Sequence, residues 1–117
     1  EKKEVKKSNS KSDENLLKTD YIEKLGLTLS TITNEIRMSQ NIPNNVTGLL
    51  VTNVEQNTDA EIKGIRPGDI IQEVNQKSVN DLDVFRRIIT SLNNNKKGIL
   101  LLINRQGNIN FVALKLN

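Results

Sequence analysis

"GIRPGDIIQEVNQKSV", residues 64–79, is punctuated twice within one short stretch. Arg66-Pro67-Gly68-Asp69 has the chemistry of a type II turn: proline fixes φ at the second position and glycine accepts a positive φ at the third. The turn delivers the chain into "DIIQEV", residues 69–74, whose β-branched apolar residues read as a strand. Asn75-Gln76-Lys77 then breaks that strand and sends the chain into a short extended piece at Ser78-Val79. Two tight turns around one apolar strand call for a small, sharply folded sheet.

Upstream of the first turn, "NTDAEIKGI" (57–65) places Thr58 and Glu61 at capping-box spacing, with Gly64 positioned to close a very short helix. "VTGLLVTNV" (46–54) is a β-branched apolar run and predicts a central strand. "TNEIRMSQNIP" (33–43) reads as a short helix, capped by Thr33 or Asn34 and stopped before Pro43. "LGLTLSTI" (25–32) alternates Leu25, Leu27 and Leu29 with small or polar residues, which predicts the first strand, half-buried. Downstream, "NDLDVFRRIITSLNNN" (80–95) is the clearest helix, with Asn80 or Asp81 as N-cap and an Asn-rich end expected to fray. "GILLLINRQGNINFVALKL" (98–116) predicts two strands around an Arg105-Gln106-Gly107-Asn108 hairpin. The sum is a small α+β domain, a partly open β-barrel or sandwich of five to six strands with two to three helices.

Residues 1–23 are polar and of mixed charge, and they predict a linker or disordered arm, with the folded domain at 24–117. A short helix through "DENLLKTDYIEKL" (13–25) is the alternative reading for the end of that arm. Beginning at Glu1 rather than Met, the chain reads as a piece of a longer one.

Composition removes several function classes. There is no cysteine and no histidine, so no disulfide, no thiolate or imidazole metal site and no histidine general base can form. No metal or cofactor is expected, and no catalysis. A Ser–Lys dyad is the only familiar nucleophilic arrangement that remains. The net charge of +3 comes from scattered residues of both signs, and the aromatics are only Tyr21, Phe85 and Phe111. That makes a solvated surface rather than a phosphate track with base-stacking platforms, so no nucleic acid is expected. No apolar run approaches the roughly 18 residues a membrane span needs, and no direct membrane insertion is expected.

The helix at 81–92 sorts its side chains into three sides rather than two, at about 100° per residue. Leu82, Phe85, Ile89 and Leu92 form a core stripe, while Asp83, Arg86, Arg87 and Thr90 form a solvent face. Val84, Ile88 and Ser91 align on a third side, which is either the margin of a wide core face or the wall of a groove beside a sheet edge.

With these elements in order, "GLLVTNVEQNTDAEIKGIRPGDIIQEVNQKSV" (48–79) resembles the core of a PDZ domain, and the resemblance covers residues 24–116. The order of elements is similar to the permuted bacterial form. "LGLTLSTITNEIRMSQNIPNNVTGLLVTNV" further resembles the C-terminal PDZ domain of the Do-like (HtrA/DegP) periplasmic serine proteases. The resemblance implies a carboxylate-binding loop at Lys24-Leu25-Gly26-Leu27 and a peptide added as a strand along Leu27, Thr28, Leu29 and Ser30. Leu25, Leu27 and Leu29 would line the pocket for its last side chain, and Val84, Ile88 and Ser91 would form the opposite wall. Elementary chemistry agrees, since successive amides around a glycine make a concave nest for an anion. Two positions depart from the family: Lys24 stands where an aromatic residue is common, and Gln76 stands where the turn usually has glycine.

The leading expectation is a non-catalytic module that captures C-terminal or unfolded segments for a protease domain elsewhere in a longer, periplasmic protein. The alternative is an assembly module that contacts the protease domain and other PDZ domains of the same protein, holds a homo-oligomer together, and has a weak or degenerate groove. An amphipathic helix and a glycine loop serve either.

Overall fold

A computed structural model describes residues 17–92 and 98–116. Its strands form one open antiparallel sheet in the order β1-β2-β3-β4-β6-β7, with the short β5 paired to β4. The strands are β1 (Thr19–Ile22), β2 (Leu27–Ser30), β3 (Leu49–Val54), β4 (Ile70–Val74), β5 (Lys77–Ser78), β6 (Ile99–Arg105) and β7 (Asn108–Leu114). The helices are α1 (Asn34–Ser39), α2 (Asp59–Ile62) and α3 (Leu82–Ser91). The expected α+β architecture stands, with two-residue β5 and the unforeseen β1 bringing the described strands to seven.

The turns take the forms their residues dictate. Gly68 has φ +99° and the Asp69 amide donates to Arg66 O at 3.1 Å, as a type II turn requires. Both Asn75 and Gln76 adopt positive φ, at 50° and 68°, which makes the Val74–Lys77 connection a two-residue hairpin of the primed kind. Asp69 is 2% exposed and accepts two bonds from Arg105, at 2.7 and 2.8 Å, and one from the Arg66 amide at 3.0 Å. Thus the turn is tied to the end of β6.

Thr33 caps α1 and Asp81 caps α3, which settles both open N-caps. Thr58 caps α2, and Glu61 accepts from the Asn57 amide at 2.9 Å. Gly64, at φ +91°, closes α2 with Gly64 N–H to Glu61 O and Ile65 N–H to Ala60 O, a Schellman arrangement. The end of the helix expected to run through Asn93–Asn95, and the arm over residues 1–16, lie outside the described residues.

The core is one largely aliphatic cluster, in which Phe85, Leu27, Leu29, Leu49, Val51, Ile71, Val74 and Leu101 are wholly buried. α3 covers it with Leu82, Phe85 and Ile89, as the stripe predicted.

One boundary moves. Thr19–Ile22, assigned from composition to the polar arm or to a short helix, is a strand paired antiparallel with β2. Its inward residues are Asp20 and Ile22; Ile22 is 3% exposed and belongs to the core cluster. The inward pattern is masked in the sequence because one of its two positions is an aspartate.

Candidate functional site

The loop Glu23–Gly26 carries β1 into β2 and gathers several amides. The N–H groups of Leu25 and Gly26 both donate to the carbonyl of Ile22, at 3.0 and 2.9 Å. Gly26 sits at φ +68°, and a Cβ there would come within 2.6 Å of Thr58 Cγ2, so a side chain is unwelcome on two counts. Its carbonyl accepts the Glu55 amide at 2.8 Å, and the Thr58 hydroxyl donates to Glu55 O at 2.8 Å. The loop is therefore pinned to the start of α2.

One side of this nest is backed by buried apolar side chains. Leu25, Leu27 and Leu29 are buried in the same cluster as Ile22, and the register sets Ile22 directly opposite Leu27 and Asp20 opposite Leu29. Thr28 lies on the other face opposite Tyr21, and Lys24 stands half-buried in the loop. The Tyr21 hydroxyl donates to Glu55, which raises the phenol above its ordinary 10.0; desolvation and the charges of Glu55 and Glu23 act in the same direction.

α3 closes the other side. Arg86 Nε donates to Asp20 Oδ2 at 2.9 Å, Nη2 bonds the same oxygen, and Nη2 lies 3.5 Å from the Tyr21 carbonyl. The helix flank that reaches β1 is thus the Arg86 flank. Val84 precedes Arg86 by two residues, about 200° round the helix. Val84 is 36% exposed, Ile88 packs partly against the core, and the exposed Ser91 donates to Ile88 O at 2.7 Å. The structure therefore brings together Lys24, Leu25, Gly26, Leu27, Thr28 and Leu29 with Asp20, Ile22 and Arg86, while Val84, Ile88 and Ser91 occupy the other flank. The core stripe has two flanks, and helical periodicity does not say which of them turns toward β2. The only mark is a charge pair 66 residues apart.

Beyond the far end of β1 and β2, a cleft of about 590 Å³ opens between Lys18, Thr31, Arg37 and the α3 cap at Asp81. Among the described residues no cluster of three or more His, Cys, Asp or Glu side chains could hold a metal, and no helix is long and apolar enough to cross a membrane.

In this arrangement β1 lies between β2 and α3 with the loop amides converging on its last carbonyl, and comparison with known proteins finds the same fold elsewhere. The chain is 33% identical over 94% of its length to a probable periplasmic serine endoprotease, DegP-like, of Rickettsia conorii, of which it covers 20%. A protein of the same description from Chlamydia pneumoniae is 30% identical over 80% of the chain, which covers 19% of it. The chain thus spans about a fifth of the length of these relatives. Among solved structures it resembles the HtrA3 PDZ domain bound to a phage-derived ligand, with a TM-score of 0.63 and 22% identity over 87% of this chain and 88% of that one. The HtrA-type protease AlgW with decapeptide matches at a TM-score of 0.65 and 20% identity over 86% of this chain and 29% of that one. The PDZ domain family model matches residues 17–104, starting ahead of β1, and with the sheet, the glycine loop and the facing helix all in place the chain belongs to the PDZ domain family.

Proposed function

We propose that the domain is the non-catalytic peptide-docking module of a longer HtrA/DegP-type serine endopeptidase of the periplasm. In this reading it captures C-terminal or unfolded segments by strand addition and delivers them for proteolysis or quality control. The observation that supports the reading is the pairing along β2. The chain's own β1 lies antiparallel to Leu27–Ser30, runs toward the Leu25 and Gly26 amides, and presents Ile22 to the leucines, the geometry that an added peptide strand would take. Main-chain pairing supplies sequence-independent affinity, and the pocket supplies selection.

The test is a titration of the 117-residue chain with a library of peptides, each with a free and an amidated C-terminus, alongside sedimentation. Free-carboxylate peptides with an aliphatic last residue should bind more tightly than their amides, because the nest is aimed at an anion. Equal binding of both forms would remove the groove reading.

A second reading, an assembly surface, is favoured by Ile109 and Phe111. They stand 50% and 59% exposed and two residues apart on β7, the last strand of the sheet. Self-association without peptide binding would select it.

A further inference from the structure

We infer that β1 is a built-in pseudo-ligand that holds the groove closed, and that its sequence discloses the groove's preference: an aliphatic last residue with an acidic residue two positions before it, read by Arg86. The inference rests on the peptide-docking reading and adds to it both a regulation and a specificity.

Direction is the first argument. β1 runs antiparallel to β2 with Ile22 at the loop end, opposite Leu27, and Thr19 at the far end, opposite Ser30. A peptide whose C-terminus entered the amide nest would run the same way. The second argument is the nest itself, because the Leu25 and Gly26 N–H groups are already spent on the Ile22 carbonyl. That oxygen stands where one oxygen of a terminal carboxylate would stand. The third is the pocket: Ile22 fills it to 3% exposure in the company of Leu25, Leu27 and Leu29.

The fourth argument concerns selection. On the inward face of β1, two residues before Ile22, stands Asp20, bonded by Arg86 from the helix. An incoming segment of the same register would set its third-last side chain against the same guanidinium. An apolar side chain there would strand the charge, and an acidic one would meet it. Outside the groove, Tyr21 is bonded to Glu55, so three side chains of one short strand are held, one by α3, one by the core and one by the residue that follows β3. Even so, β1 is a four-residue edge strand with an exposed outer surface and a single residue in the core, so it can open locally without unfolding the rest of the sheet.

The affinity of a groove that is open only part of the time falls in proportion to the open fraction. The probe is a fluorescent hexapeptide that copies Leu17–Ile22 and ends in a free carboxylate. The full chain should bind it weakly, and Ile22→Ser should bind it about tenfold or more tightly, since burial of the isoleucine is what seats β1. Asp20→Arg replaces a part-exposed ion-pair partner that lies outside the core cluster, so the fold is kept, and it should tighten binding about threefold by the same route. In the Ile22→Ser chain, Arg86→Asp should weaken binding of the copy and strengthen binding of a peptide with arginine in place of its aspartate. Equal affinity of the unaltered chain, Ile22→Ser and Asp20→Arg for the probe would overturn the closure while leaving peptide docking intact. Unchanged preference on Arg86→Asp would overturn the specificity. Binding of library peptides but never of the probe would reject the pseudo-ligand, whereas failure of every peptide removes the docking reading with it.

Discussion

Residues that ought to be glycine show where local rules yield to the fold. At the Asn75-Gln76 turn both φ angles are positive, a conformation asparagine tolerates and glutamine does not favour. The hairpin is nevertheless held, because the Leu100 amide donates to the Asn75 side chain at 2.9 Å and the Asn75 amide donates to Leu100 O at 2.7 Å. Gln76→Gly should relieve a left-handed cost of about 1–2 kcal/mol, offset by glycine's extra chain entropy of about 0.5–1, for a net gain of up to about 1.5 kcal/mol. A rise in the urea midpoint at unchanged slope would confirm it, and an unchanged or lower midpoint would show that Gln76 is not strained. The position was marked in the sequence only through the family resemblance, where glycine is usual at Gln76, and the two-residue turn with both φ angles positive came from the structure. Arg86 was not legible. Its partner Asp20 is far along the chain, and a charged residue on a helix flank reads as solvated until the strand beside it is known.

Elements with a strong period or a complete turn signal were readable, and the one without either was missed. β4, between two punctuated turns, and α3, with its apolar stripe, lie where periodicity puts them. β1 has four residues, only one of them a core side chain, so composition outweighed it. The same feature makes β1 easy to follow, because Tyr21 is the only tyrosine and there is no tryptophan. With β1 seated, the phenol is bonded to the Glu55 carboxylate and titrates above 10.0. Ionisation puts a second negative charge beside Glu55, so the folded form holds its proton longer than the unfolded chain. The sign follows: the bond's contribution is fully present below pH 10.0 and is lost as pH rises through the raised value. Ultraviolet titration of the phenol should give a midpoint above 10.0 that Glu55→Gln lowers toward 10.0. A midpoint at or below 10.0 in the unaltered chain would mean that the Tyr21–Glu55 bond is not held in solution.

For the whole molecule, the question is where the cooperative unit begins. Residues 1–16 offer only Val5 and Leu16 as large apolar side chains, so they bring little apolar surface to a core. Their removal should leave the unfolding transition where it is. Removing residues 1–22 is a different operation, because it takes Ile22 out of a cluster shared with Leu27, Leu29 and Phe85 and leaves the β2 edge and the Leu25 and Gly26 amides without their partners. Loss of one buried isoleucine costs about 2–5 kcal/mol, a large share of what a domain this size has to spare. The remaining sheet still holds β2 to β7 and the helices, so the shorter chain should fold, with a lower melting temperature and a shallower native baseline. Adding the peptide that copies Leu17–Ile22 should restore the temperature in a concentration-dependent way, as any ligand of the folded form does. The measurement is a pair of thermal unfolding curves for the two deletions, with and without the peptide. Equal melting temperatures for both would place the start of the domain after Ile22, and failure of the peptide to raise the lower one would mean that β1 stabilises the fold only as part of the same chain.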